Sequence, residues 1–264
     1  MIKAIFFDID GTLVSFRTHC IPDSALRALG ALREKGIRLF IASGRHPSDI
    51  FTVSDFPFDG YVALNGGYCI AGSGEVIFRQ EIDPSDIERM IRWQQGPEKF
   101  ACVLAGEREM CLNFVDERVT RVRKLVETGH PAPVAPFEEW SAIARRGVLQ
   151  LIAFFGPERE AEIMGGVFPH CRSMRWNPLF TDIVPAGVNK AEGIDRMLEH
   201  FGLRLEEVMA FGDGGNDIPM LEHVGTSVAM GNADPAVKKA ADYVTTSPDD
   251  HGIARALRRF GLIE

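Results

Sequence analysis

The chain has 264 residues, 45% hydrophobic and 25% charged, with a formal net charge of −8. That length supports a sizeable core in one large domain or two smaller ones, and the composition excludes disorder and low complexity. The acidic balance argues against a nucleic-acid backbone as partner, which calls for Lys/Arg excess, while an anionic small substrate stays allowed where a metal or a few cations neutralise it.

Cys20, Cys69, Cys102, Cys111 and Cys171 are scattered without CxxC spacing, which suggests reduced thiols and neither a disulfide framework nor a zinc site. The N-terminal "MIKAIFFD" meets an acid at position 8, too early for a signal-peptide core, and no apolar run reaches spanning length. A cytoplasmic protein with no membrane partner is expected.

In chain order, "KAIFF" reads as a buried strand and "DSALRALGALREKG" as a helix with Leu26, Leu29 and Leu32 on one face, capped by Asp23 and stopped at Gly36. "IRLFIA" is a second buried strand, "PSDIFTV" a short helix opened by Pro47, and "YVAL" a third strand. This βαβαβ order predicts a parallel sheet wound with helices. "YCI-AGSG-EVIF" then reads as a hairpin.

The middle of the chain mixes helices with paired strands. "DPSDIERMIRWQQG" is helical from Pro84, "ACVLA" and "EMCLNFV" are strands, "DERVTRVRKLVETG" is a helix whose "RVRKLVE" is a solvated face, and "VLQLIAFF" is a strand. A helix opened by "PERE" and a hairpin "SMRW-NP-LFTDIV" complete this stretch. From Pro185 the first pattern returns with the helix "NKAEGIDRMLEHFG", the strand "EVMAF", the helix "NDIPMLEHVG", then "TSVAM", "DPAVKKAA" and "DYVTT". The expected fold is a Rossmann-like α/β core, residues 1–82 and 185–264, interrupted by an α+β domain over 83–184.

Polar clusters sit at the carboxyl ends of the predicted core strands. In "FFDIDGTLV" a buried run ends on Asp8 and Asp10, with Gly11 allowing a tight turn and Thr12 following. "ASGR" places Ser43, Gly44 and Arg45 after the second strand, "GVNK" places Lys190 at a helix start, and "GDGGND" places Asp213, Asn216 and Asp217 after "VMAF". In an open α/β sheet, strand ends of this kind converge on one ligand site. Asp8 and Asp213 offer hard oxygens for Mg²⁺, and Lys190 and Ser43 offer a charge and a hydroxyl for a dianion. A carboxylate also attacks phosphorus, so Asp8 reads as a nucleophile and Asp10 as its general acid/base.

Asp8-Ile9-Asp10-Gly11-Thr12, Ser43, Lys190 and Gly212-Asp213-Gly214-Gly215-Asn216-Asp217 resemble, in order, the four motifs of the haloacid dehalogenase-like hydrolases. "SGR", "NG" at 65–66, "KAEGI" and the position of the inserted domain resemble the Cof-type phosphatases in particular. The resemblance implies that Asp8 attacks phosphorus while Asp10 protonates the leaving oxygen and then activates water. It further implies Mg²⁺ held by Asp8, the backbone carbonyl of Asp10 and Asp213, with Asp217 supporting the metal shell. The phosphoryl group would be bound by Ser43, Gly44, Lys190 and Asn216. Thr12, Arg45 and Asn65 are candidate substrate contacts. The expected partner is a small phosphorylated metabolite such as a sugar phosphate. A phosphomutase on a related fold and a catalytically silent phospho-ligand sensor are the competing readings.

Overall fold

The computed structural model describes residues 1–125 and 131–264. The tail of "DERVTRVRKLVETG" lies outside the described residues. The described chain divides into two compact units, one formed by residues 1–78 and 189–264 and the other by residues 79–188. The links between them thus fall a few residues outside the boundaries read from the sequence.

In chain order the strands are β1 (Ala4–Phe7), β2 (Arg38–Ala42), β3 (Gly60–Ala63), β4 (Tyr68–Ala71), β5 (Val76–Arg79), β6 (Ala101–Ala105), β7 (Met110–Leu112), β8 (Gln150–Phe154), β9 (Cys171–Asn177), β10 (Phe180–Pro185), β11 (Val208–Gly212), β12 (Thr226–Ala229) and β13 (Tyr243–Val244). The first unit carries a sheet of order β13-β12-β11-β1-β2-β3-β4-β5. Its strands are parallel from β13 to β3, and β4 runs antiparallel to β3. β1 at the centre has no exposed residue, because helices cover both faces of a parallel sheet and leave no solvent side for alternation. Phe6 stacks on Phe40 at 4.6 Å, and Phe7 on Phe211 at 5.2 Å, tying β1 to each neighbour.

The first helix is Asp23–Glu34, and it buries Ala25, Ala28, Leu29 and Leu32. Leu26, expected on that face, is exposed, and Asp23 sits in the first turn without a capping bond. Small alanines pack closely, and the buried stripe keeps Leu29 and Leu32 while it shifts toward Ala25 and Ala28 and leaves Leu26 at its edge. Gly36 takes a left-handed φ of +73° just past the helix, as a stop requires. A helix that the sequence reading did not name, Gly252–Arg259, packs against Asp23–Glu34.

Helix Lys190–Phe201 positions the site. Asn189 caps it by accepting hydrogen bonds from the backbone N–H groups of Ala191 and Glu192, and Gly202 closes it at φ 63°. At Gly193 a Cβ would meet Val62 Cγ1 at 2.4 Å, so only glycine lets this helix lie so close to β3. Lys190, in its first turn, is fully buried.

The second unit holds a sheet of order β7-β6-β8-β10-β9, whose assigned pairs are antiparallel. Helix Pro84–Trp93 is capped by Asp83, and together with helix Phe137–Ala144, absent from the sequence reading, it packs Ile87, Met90, Ile91, Trp140 and Ile143 into a separate core.

Candidate active site

The site grows from five strand ends of the first unit. Asp8 and Asp10 follow β1, Ser43 to Arg45 follow β2, Asn65 follows β3, and Asp213 to Asp217 follow β11. Asn232, which the sequence reading did not single out, follows β12. All lie at the carboxyl end of a parallel sheet, where loops are free to present side chains.

Lys190 Nζ donates to Asp8 Oδ1 at 2.6 Å and to Asp217 Oδ1 at 2.5 Å. Asp217 is fully buried, and its second oxygen accepts from the backbone N–H groups of Asp213 and Gly214 at 2.9 and 2.8 Å. It therefore braces the turn that carries Asp213. Asp213 Oδ1 accepts from Thr12 Oγ1 at 2.9 Å. Gly11, at φ 82°, brings the chain so close that a Cβ there would meet Asp213 Oδ2 at 2.1 Å and the ring of exposed Phe16 at 2.5 Å.

Asp8, Asp213 and Asp217 bring carboxylate oxygens within 4.8 Å of one another, and one lysine answers their charge. Burial pushes Asp8 well above the usual carboxylate range; Asp217 adds to the push and Lys190 opposes it. Burial followed by the Asp217 charge lifts Asp213 to about 7. Burial disfavours the charge on Lys190, but Asp217 and Asp8 outweigh it and hold the ammonium charged far above neutrality. Hard oxygen donors carrying surplus negative charge, already braced by hydrogen bonds, fit a divalent cation.

The Asp10 carboxylate stands apart from this set. Arg45 holds it by two bonds, Nε to Oδ2 at 2.8 Å and Nη2 to Oδ1 at 2.5 Å. Arg45 in turn donates its backbone N–H to Ser43 Oγ at 3.2 Å. Asn65 is fully buried and accepts from Asn216 Nδ2 at 3.0 Å, and a Cβ on Gly44 would meet its side chain at 3.1 Å. Leu64 and Asn65 both take left-handed φ values, 50° and 56°. Their backbone N–H groups donate to Arg45 O and Ser43 O, so the strained turn is latched onto the loop after β2. The structure thus brings together all the residues expected from the sequence. It adds the Asp10–Arg45 pair, the Asn65–Asn216 pair and Asn232.

A second acid group, Asp83, Asp86 and His170, lies in the other unit. Asp86 is fully buried, with its oxygens taken by Arg89, by the His170 backbone N–H at 3.0 Å and by His170 Nδ1 at 2.9 Å, which makes it an anchor for the helix Pro84–Trp93. A cavity of about 240 Å³ in the first unit, lined by residues including Phe51, Phe56, Phe58 and Tyr61, contains none of the site acids.

The sequence matches the haloacid dehalogenase-like hydrolase family over residues 5–257. It is 34% identical to YkrA of Bacillus subtilis over 99% of both chains, and 28% identical to YbhA of Escherichia coli, a pyridoxal phosphate phosphatase, over 96% of both. The fold is similar to that of BT4131, a subclass IIB sugar phosphatase, with a TM-score of 0.89, 41% identity and coverage of 99% of this chain and 100% of that one. BT1666 of Bacteroides thetaiotaomicron gives a TM-score of 0.90 at 38% identity, over 100% of this chain and 96% of its own. The chain belongs to the haloacid dehalogenase-like hydrolases, as a phosphatase of the Cof-type subgroup.

Proposed function

We propose that this phosphatase is Mg²⁺-dependent and hydrolyses small phosphorylated metabolites, sugar phosphates or similar monoesters, through an aspartyl-phosphate on Asp8. The observation that carries this reading is the buried Asp8 carboxylate, fixed on Lys190 at 2.6 Å and set beside the acids of the β11 loop.

Asp8 Oδ1 is taken by Lys190, which leaves Oδ2 to attack phosphorus. The Asp8 oxygen–phosphorus bond forms as the bond from phosphorus to the leaving oxygen breaks, and Asp10 gives that oxygen a proton. Asp10, now a base, takes a proton from water. The water oxygen attacks phosphorus, the acyl-phosphate P–O bond breaks, and inorganic phosphate leaves with Asp8 restored. Ser43 Oγ, the backbone at Gly44, Asn216 and Lys190 bind the phosphoryl oxygens, aided by the N-terminus of helix Lys190–Phe201. Arg45 keeps Asp10 oriented and adds positive charge beside the leaving group. Asp8, the Asp10 carbonyl and Asp213 would hold Mg²⁺, with Asp217 supporting Asp213; bound there, the ion supplies charge neutralisation of the phosphoryl group.

None of these residues distinguishes one leaving group from another, so we assign substrate choice to the inserted unit, residues 79–188. BT4131 is a sugar phosphatase and YbhA a pyridoxal phosphate phosphatase, which supports the substrate class. The test is phosphate release from a panel of phosphomonoesters with Mg²⁺ and with excess chelator. Release confined to Mg²⁺ and lost in Asp8→Asn is the expected result; full release under chelation would overturn it.

A further inference from the structure

Asn232 is an exposed residue of the turn after β12, yet both hydrogens of its amide point inward. Nδ2 donates to the carbonyl of Gly11 at 3.0 Å and to Asp213 Oδ2 at 2.9 Å. The other oxygen of Asp213 is held by Thr12 Oγ1 at 2.9 Å. Each oxygen of this carboxylate is therefore tied to the Gly11–Thr12 turn, one directly and one through Asn232.

The turn delivering Asn232 is itself fixed. The Met230 N–H donates to Gly212 O at 3.0 Å, the Gly231 N–H to Thr246 O at 3.1 Å, and the Ala233 N–H closes back onto Met230 O at 3.1 Å. Fixing matters because the terminal torsion of an aspartate is broad and only weakly two-fold, so backbone position alone does not aim its oxygens. Asp213 also faces Asp8 and Asp217, whose oxygens lie within 4.8 Å, and their repulsion drives it toward solvent.

We infer that Asn232 is a positioning residue that holds Asp213 in its ligating orientation and thereby sets the affinity of the site for a divalent cation. The inference rests on the Mg²⁺ reading given above. Outer hydrogen-bond partners of metal ligands typically change affinity by about 10–100-fold when removed. Because Asn232 is exposed, replacing it opens no cavity in the core.

The experiment is titration calorimetry of the full chain with Mg²⁺ alone, for wild type, Asn232→Ala and Asn232→Leu, paired with melting of each in chelator. Leu keeps the branched shape of Asn and both variants lack the N–H donors. The expected result is Mg²⁺ binding weakened about tenfold or more in both variants, with chelated melting midpoints within about 2 °C of wild type. Affinity within about twofold of wild type in either variant would overturn the positioning role. So would a loss of affinity that comes with a chelated midpoint lowered by more than about 5 °C in both, which would make Asn232 a folding residue. Wild type that binds no Mg²⁺ would overturn the functional reading and this inference with it.

Discussion

Lys190→Met is the most informative single perturbation. The substitution keeps an aliphatic stem of similar length and deletes the ammonium bonded to both Asp8 and Asp217, at 2.6 and 2.5 Å, in a pocket where lysine and Asp217 are fully buried. Removing one partner from a buried ion pair costs about 3–5 kcal/mol, because the orphaned charge stays desolvated. The first unit has roughly 150 residues. For that size each kcal/mol moves the midpoint by about 2–4 °C, which gives a fall of about 6–20 °C for its transition. The effect carries a sign in pH. Asp8 and Asp213 are both raised in the folded state, Asp213 to about 7, so the stability tied to their neutral forms is complete below the ordinary carboxylate range; the Asp213 part is lost as pH rises through about 7 and the Asp8 part as pH rises through its own raised value. The variant should therefore melt furthest below wild type near pH 8 and approach it near pH 5. Mg²⁺ should raise its midpoint more than that of wild type, since the cation then meets uncompensated acids. The assay is calorimetry in chelator at both pH values, followed by Mg²⁺ addition. A midpoint within about 2 °C of wild type at pH 8 in chelator would refute the electrostatic account.

Asp8→Asn should lower turnover below about one-thousandth of wild type with the fold intact, since an amide does not attack phosphorus; steady-state phosphate release checks this, and turnover within tenfold of wild type would remove Asp8 as nucleophile. Mg²⁺ affinity should rise as pH rises through about 7, the raised value of Asp213, because the cation competes with protons on Asp213 and on Asp8, which burial also raises; calorimetry at several pH values shows a flat profile if the two acids are not ligands. At position 65 glycine should be better tolerated than alanine: both delete the bond to Asn216, but alanine also bears the left-handed φ of 56°, at about 1 kcal/mol. Melting midpoints with alanine above glycine would contradict the strain. Exchanging residues 79–188 for the corresponding segment of a relative should carry that relative's substrate ranking with it, and a ranking unchanged by the exchange would place selectivity in the first unit.

The parallel sheet was legible because β1, β2 and β11 are short continuous apolar runs, each ending abruptly on polar residues, a pattern produced by burial on both faces. The acids were legible from the same punctuation, and Lys190, at a helix start, from its place in the set of four motifs. Asn232 was not, since a lone asparagine before Ala-Asp-Pro reads as a turn residue, and its partner Gly11 lies 221 positions away. Nor was the Asp10–Arg45 pair, whose members each had a sufficient reading alone. Leu64 in a left-handed conformation contradicts its own propensity, and only the latch to Arg45 O accounts for it. Leu26 misled for a related reason: periodicity marks a stripe, while closeness of packing chooses which side of the stripe is used.

The central place of β1 has a consequence for synthesis. One edge of β1 pairs with β2, which follows it closely, but the other pairs with β11, which begins only at Val208. At about 5–20 residues per second the ribosome leaves that edge open for roughly 10–40 s, with Phe6 and Phe7 still lacking part of their packing. Residues 79–188 emerge within that interval and hold a core of their own, so they are able to fold while the first unit waits. A nascent or truncated chain lacking β11 presents a bare hydrophobic strand edge and no assembled acid cluster. Premature termination anywhere before Val208 thus yields an aggregation-prone fragment rather than a weakened enzyme.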